Sequence, residues 1–318
     1  MKKRIAAAIF TALLLTGCTK ETESSAPTEL VVSAPSGEEV VVSAFPVEVC
    51  GETLSEAAQR VVSLSPAVTE IIAELDMTEK LVGVSRYCDY PEGLDIAAFG
   101  SSENPDIDGI IALSPDVVFT LSGISEREVY ALESAGAAVI QLTVPTTMEQ
   151  YAQLYRDISA VFFGNEQTND EKKTEIAAQT GNAKRTMLES FAKSAPLGSF
   201  IYVTGKGTLS GEGTFENAVL SLCGENLCKS EGYSDSTVLS DSSVLTDSSV
   251  LINPPAYIVV DSALSEEELR ADATIAQLLD NGAKAVFVTS RCFERPTMRT
   301  AEVFTEISAQ LSETEQAE

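Results

Sequence analysis

The chain has 318 residues, 21 Lys and Arg against 48 Asp and Glu, a formal charge of −27, and neither His nor Trp. So acidic a balance argues against a nucleic-acid partner, because phosphate binding needs clustered positive charge; it keeps a protein soluble instead. The absence of His removes the commonest general base and metal ligand, which argues against most hydrolases, and the absence of Trp removes the best stacking platform for a flat ligand.

Lys2, Lys3 and Arg4 form a basic head, residues 5–15 an apolar run too short to span a bilayer, and Leu15-Thr16-Gly17-Cys18 closes the segment. This layout predicts an export signal over 1–17 ending in the lipobox arrangement of bacterial lipoproteins. There Cys18 receives a diacylglyceryl group and becomes the new N-terminus. An ordinary secretory signal with an incidental cysteine is the alternative. Two or more acyl chains, at ~0.8 kcal/mol per buried methylene, anchor stably where one does not. The mature chain is therefore expected outside the cytoplasm, tethered to the membrane and not spanning it. Removing 1–17 takes three basic residues and no acid, leaving 18 against 48, or −30. Residues 18–44, rich in Ser, Thr, Glu, Pro and Gly, read as a flexible tether. The remainder is long enough for two domains or one two-lobed unit.

From residue 60 strand and helix patterns alternate. A β-branched run over 60–64 reads as a strand, and Ser65-Pro66 opens a helix with Ser as cap and Pro in the first turn. Strand 81–85, helix 107–113, strand 116–121, helix 125–135 and strand 138–142 follow. Such alternation implies a parallel sheet covered on both faces. Residues 148–195 carry almost only helical signal, broken near 164–169. The part over 170–193 contains one Gly and no Pro. A helix of about 24 residues would reach roughly 36 Å, enough to bridge two lobes; an amphipathic surface helix is the alternative. The alternation restarts with strand 200–204, helix 215–223, strand 257–261, helix 265–279, strand 285–289 and helix 297–311. The predicted fold class is α/β: two lobes, each with a central parallel sheet flanked by helices, joined by one long helix. The N-terminal lobe is placed over 45–165, the bridge over 166–196 and the C-terminal lobe over 197–318.

Five cysteines follow Cys18: Cys50, Cys88, Cys223, Cys228 and Cys292. An odd number cannot all pair internally; Cys223 with Cys228 stays open, and no Cys-x-x-Cys spacing suggests zinc or redox work. No metal site and no resident cofactor are expected. Gly205-Lys-Gly-Thr-Leu-Ser-Gly-Glu-Gly213 is glycine-rich but lacks phosphate-loop spacing, and there is no Gly-x-Ser-x-Gly elbow. An α/β enzyme is thus the weaker competing reading. Residues 236–253 carry three copies of a six-residue unit, too few for a solenoid and given no function.

Five segments, in order, resemble class III periplasmic binding proteins, the cobalamin and iron-siderophore binding components of ABC importers. They are Arg60-Val-Val-Ser-Leu-Ser-Pro-Ala-Val-Thr-Glu70, Leu81-Val-Gly-Val-Ser-Arg-Tyr-Cys-Asp-Tyr-Pro91, Ile110-Ile-Ala-Leu-Ser-Pro-Asp-Val-Val118, Val219-Leu-Ser-Leu-Cys-Gly-Glu-Asn-Leu227 and Thr289-Ser-Arg-Cys-Phe-Glu-Arg-Pro-Thr-Met-Arg299. The likeness spans about 45–311, and the cobalamin branch is the nearest match.

The resemblance implies a monomer whose two lobes, held by a rigid helix, enclose a corrinoid or ferric siderophore for delivery to the transmembrane subunits of an ABC permease. Ser65 and the start of its helix would face the cleft with free N–H groups, simple capping being the alternative. Tyr87 falls where cobalamin-binding relatives place a ligand-contacting tyrosine, with half-buried packing as the alternative. Ser102 and Cys292 lie near positions where relatives carry tryptophan, and Arg291 replaces their aspartate. Arg86 and Arg291, one in each lobe, would make the cleft locally positive and favour a ligand with acidic groups; rim arginines paired with nearby acids are the alternative. Cys88 and Cys292 map to cleft loops and are expected as free or packed thiols. Permease docking is assigned to Asp108 on the first lobe. On the second lobe Ser248 occupies the equivalent position, so neighbouring Asp247, or Asp241, would substitute. A lipoprotein of the same fold that only senses or adheres is the remaining alternative.

Overall fold

The computed structural model describes residues 31–33, 39–41, 45–164, 171–236 and 254–317, with side chains over 45–164, 180–236 and 254–313. Strands β1 (Val31–Ser33) and β2 (Glu39–Val41) pair antiparallel. They lie within the stretch read as a tether, where β-branched Val31, Val32, Val40 and Val41 favour extended backbone. A hairpin of β3 (Val47–Val49) and β4 (Glu52–Leu54) follows, turned by Cys50 and Gly51 at φ 51° and 88°.

The first lobe runs β5 (Val61–Ser63), α1 (Pro66–Glu74), β6 (Leu81–Val84), β7 (Gly100–Ser101), β8 (Asn104–Pro105), α2 (Ile107–Ala112), β9 (Val117–Thr120), α3 (Glu126–Ser134) and β10 (Ala138–Gln141). Its main sheet has the order β10-β9-β5-β6 with every pair parallel. All residues of β5 and β9 are buried, as strands covered by helices on both faces require. A capping box between Ser125 and Glu128 starts α3. Because β6 and β9 lie on opposite sides of β5, the order reverses there, and a crevice opens beyond the carboxyl ends of β5 and β9.

Helix α4 (Met148–Phe163) buries Tyr155, which bonds Glu74 of α1, and Tyr151, which stacks on Phe215 of the second lobe, and α5 (Glu171–Ala192) lies against α4. Helix α5 also reaches the 3-10 turn Met298–Ala301 of the second lobe, so it joins both halves as the bridging helix.

The second lobe comprises β11 (Gly198–Val203), β12 (Leu209–Ser210), α6 (Phe215–Leu220), β13 (Gly224–Asn226), β14 (Tyr233–Ser234), β15 (Tyr257–Asp261), α7 (Glu266–Ala271), α8 (Ala273–Asp280), β16 (Lys284–Val288), α9 (Arg291–Glu294) and α10 (Glu302–Ala317). Strands β13, β11, β15 and β16 run parallel, while β12 and β14 add an antiparallel edge that the sequence pattern did not reveal. The chain doubles back directly after β11 because Gly207, at φ 73°, permits a turn whose Thr204 and Thr208 hydroxyls bond at 2.7 Å. The helix expected over 265–279 is two helices, α7 and α8. They break at Asp272, whose extended backbone leaves its carboxylate free to accept the Thr274 and Ile275 N–H groups. The last helix likewise opens as the 3-10 turn before α10.

One apolar core runs through both lobes, joining Val61, Ile71 and Phe119 to Tyr202, Val259 and Phe304 through Tyr155 and Leu188. Two smaller cores back the outer faces of the sheets. Among the described residues no helix is long and apolar enough to cross a membrane.

Candidate functional site

Two cavities open beyond the carboxyl ends of the two sheets. The first, of about 410 Å³, is walled by the loops after β5, β6 and β9: Leu64, Ser65 and Pro66; Ser85 and Tyr87; Leu121 and Ser122, with Ser101, Ser102 and Glu103 beside them. The second, of about 580 Å³, lies on the other lobe against Tyr202, Thr204, Gly205, Lys206, Glu216, Tyr233, Asp261 and Phe293. Glu294, at the end of α9, lines both cavities and so stands where the lobes face each other.

Serines dominate the first wall. Ser65 precedes α1 but makes no side-chain capping bond; Pro66, which has no N–H, occupies the first turn. Ser102 donates to the Leu64 carbonyl at 3.0 Å and accepts from Thr120 at 3.1 Å, which ties its loop to the end of β5. Ser101, 4 % exposed, has a buried hydroxyl with no hydrogen-bond partner among the described residues. Tyr87 is 56 % exposed, with the Arg86 guanidinium 5.1 Å from its ring centre.

The second wall combines aromatic rings with carboxylates. Tyr202 and Phe293 pack with centroids 5.4 Å apart. The Tyr233 hydroxyl donates to Glu216 at 2.8 Å; burial and then that carboxylate push the phenol up to about 12, so it stays a donor at neutral pH. Burial, reinforced by Asp261, raises Tyr202 further. Asp261 is 5 % exposed and accepts the Gly205 and Ala263 N–H groups at 3.1 and 2.9 Å. A Cβ at Gly205 would sit 2.8 Å from the Asp261 oxygen, so a larger residue there must displace that carboxylate.

Beside the cavities the lobes are clamped together. Glu70, on α1 and 1 % exposed, takes the Arg295 guanidinium at 2.6 Å, the Arg299 guanidinium at 3.2 Å and the Thr297 hydroxyl at 2.9 Å. One turn later Glu74 takes Lys184 of α5 at 2.6 Å and the Tyr155 hydroxyl at 3.2 Å. Arg295 also pairs with Asp89, whose carboxyl that hydrogen bond holds below its ordinary value, and donates to the Tyr87 carbonyl at 3.2 Å.

Of the residues singled out from the sequence, Ser65, Tyr87 and Ser102 come together on the first cavity. Arg86, Arg291 and Cys292 line neither cavity. Arg86 flanks Tyr87, Arg291 is exposed at the start of α9, and Cys292 is 3 % exposed in the apolar core. Phe293 and Glu294, the next two residues of the same turn, form the wall instead. The arginine lining expected from Arg86 and Arg291 is thus absent from these two cavities. Cys88 and Cys292 are free thiols, as are Cys50, Cys223 and Cys228. Burial, with Glu306 and Glu302, pushes Cys292 up to about 12; burial also raises Cys88, which contacts the Thr69 hydroxyl at 3.1 Å. Asp108 lies exposed in the first turn of α2. Cys18 and Asp247 lie outside the described residues. Sequence reasoning missed Ser101, Glu216, Asp261 and Glu294; Ser101 and Asp261 end strands, which is a readable signal, whereas Glu216 in the first turn of α6 and Glu294 at the end of α9 carry none. Among the described residues no group of three or more Cys, Asp or Glu could hold a metal ion.

The profile of the periplasmic binding proteins matches residues 61–281. A vitamin B12-binding protein of Yersinia pestis is 29 % identical over 188 residues, which is 58 % of this chain and 63 % of that protein. The chain thus spans under two thirds of the relative's length. Among solved structures, the vitamin B12-binding protein of Vibrio cholerae superposes with a TM-score of 0.55 at 21 % identity, covering 80 % of this chain and 97 % of that one. The heme-binding protein of the same organism gives 0.59 at 16 % identity, covering 80 % and 98 %. An Fe3+-hydroxamate transport protein of Saccharomonospora viridis gives 0.53 at 16 % identity, covering 84 % and 99 %. These likenesses bear on the fold, which is the class III arrangement of two parallel-sheet lobes and a bridging helix. With its profile match over most of its length, this chain belongs to the periplasmic binding protein family.

Proposed function

We propose that this protein is the substrate-binding lipoprotein of an ABC importer, which captures a corrinoid or ferric-siderophore-type chelate between its lobes and delivers it to the permease. The observation that carries the reading is the pair of cavities that share Glu294, each beyond the carboxyl ends of its lobe's sheet. Relatives named for vitamin B12, heme and Fe3+-hydroxamate support this class of cargo. In this reading Ser65, Tyr87 and Ser102 contact the guest from the first lobe. Arg86, Arg291 and Cys292 sit behind or beside the contact surface. Asp108 and Asp247 dock the permease arginines, and Cys18 carries the lipid that anchors the protein to the cell membrane on its extracytoplasmic side. The protein acts as a monomer and catalyses no reaction.

The test is thermal unfolding of cargo-stripped protein against corrinoids, haem and a panel of ferric siderophores. A true guest at a hundredfold excess over its Kd adds about 2.7 kcal/mol of stability. No shift with any of them refutes the importer reading in favour of a sensing or adhesive lipoprotein.

A further inference from the structure

We propose that this cleft selects an uncharged or cationic guest and rejects anionic ones, with Glu294 as the specificity-determining residue. The inference rests on the importer reading above and adds the charge class of the cargo.

The charged side chains lining the two cavities are Glu103, Glu216, Asp261 and Glu294, opposed by Lys206 alone. Of the other positive groups at this face, exposed Arg291 and Arg86 keep their charge but line neither cavity, and Arg295 and Arg299 are paired with acids. Arg295 is held by Glu70 and Asp89, Arg299 by Glu70 and Glu302 and over the Tyr90 ring, and Arg86 over the Tyr87 ring. Asp261 spends its oxygens on the Gly205 and Ala263 N–H groups, and Glu216 accepts from Tyr233. Hydrogen bonds from neutral donors leave both negative charges in place. Glu294, the residue common to both cavities, makes no side-chain hydrogen bond or ion pair among the described residues. A guest seated between the lobes therefore meets an excess of negative charge inside an already acidic protein, and an anion must be forced against both.

An independent feature points the same way. The first cavity presents neutral hydroxyls, and the buried Ser101 hydroxyl lacks a partner among the described residues. A buried polar group without a partner is costly unless something completes it. A guest edged with amide or hydroxamate carbonyls completes it without bringing charge.

The test uses two pairs of probes whose members differ in charge, measured by equilibrium binding at low and high salt. One pair is a corrinoid with amide side chains and the same ring with those amides hydrolysed to carboxylates. The other is a ferric trihydroxamate bearing a free amine and a ferric tricatecholate, which is anionic. The amide or cationic member of whichever pair binds should bind at least about tenfold tighter than its partner. Salt should narrow that ratio, since it screens the repulsion. Glu294→Gln should cut the ratio at least about threefold, and Lys206→Gln should raise it. Equal or tighter binding of the anionic member, or a ratio indifferent to Glu294→Gln, overturns the charge rule while leaving the importer reading intact. Binding of none of the four, with no shift from the wider thermal-unfolding panel, removes both. Glu294 and Lys206 are exposed, so neither substitution disturbs the core.

Discussion

Glu70 on the first lobe and Arg295 on the second meet at 2.6 Å, with the glutamate only 1 % exposed, so the gap between the lobes is fixed by a nearly dry ion pair. Thr297 and Arg299 satisfy the rest of that carboxylate, and Glu74 repeats the arrangement one turn along α1 with Lys184 and Tyr155. A buried carboxylate is tolerated only when it is paired and hydrogen-bonded, so losing one partner exposes the full desolvation cost of the other. Arg295→Ala should destabilise by about 2–3 kcal/mol, below the upper range for buried pairs because Arg299 and Thr297 remain. Glu70→Gln should cost less, since Arg295 keeps Asp89 and some water. A shift in urea midpoint at constant m-value measures both; a neutral Arg295→Ala would mean the clamp does not hold the lobes.

Gly181 is the single glycine noted in the long helical stretch, and the structure gives its reason. A Cβ at this position would lie 2.3 Å from the Ala152 carbonyl oxygen, because α5 and α4 touch backbone to backbone there. Alanine is intrinsically better in a helix by about 1 kcal/mol, so at an unconstrained site Gly181→Ala would stabilise. Here the clash is with main chain that cannot turn aside, and overpacking of this kind costs about 1–3 kcal/mol. The net expectation is destabilisation of about 1–2 kcal/mol in chemical denaturation. A stabilised variant would show that the helices are farther apart.

The order of strands and helices was readable because burial on two faces leaves short runs such as 117–119 wholly apolar, and helices start at caps such as Ser125. Two-residue strands such as β12 and β14 carry no periodicity, so the antiparallel edge was not readable. The break at Asp272 was legible in principle, as a capping residue inside an amphipathic run, but apolar spacing continues across it. The cleft was harder. In one turn of helix, Cys292 and Phe293 face inward and Arg291 outward, a choice set by packing against Tyr202 that no single residue type announces. Arg291 and Glu294, three residues apart in this turn, are both exposed, but only Glu294 lines the cavities, so the charge at the site has the opposite sign to that read from Arg291.

The thiols provide a test of the core. Burial raises Cys223 and Cys292 to about 12, and Cys50, with Asp157 nearby, reaches about 11. Only thiolate reacts with iodoacetamide, so labelling at neutral pH should be slow and should speed up about tenfold per pH unit. Apart from Cys18, native protein should label at exposed Cys50 first and at half-buried Cys88 more slowly, with Cys223, Cys228 and Cys292 protected until unfolding. Peptide mapping by mass spectrometry reads this out. Fast alkylation of Cys292, or a Cys88–Cys292 crosslink, contradicts the packing described.

Asp108 separates binding from delivery. It is exposed in the first turn of α2 and lines neither cavity. Asp108→Ala should leave guest affinity within about twofold, in line with the small effect of surface substitutions on stability, and should impair uptake in cells. Normal uptake would remove this residue from docking.

Ser101 makes the sharpest prediction because two effects of one atom oppose each other. Its hydroxyl is buried without a partner among the described residues, and leaving such a group unsatisfied costs about 1–3 kcal/mol. Ser101→Ala deletes the oxygen and leaves the backbone of β7 intact, so the guest-free protein should become more stable, by up to about 1 kcal/mol, where a random buried substitution would weaken it. If the hydroxyl waits for a guest carbonyl, the same change should weaken binding of an amide-edged corrinoid by about 1 kcal/mol, some fivefold. Stability and affinity must then move in opposite directions in one variant. A serine of purely structural importance would lower both, and a serine irrelevant to the guest would raise stability while leaving affinity where it was.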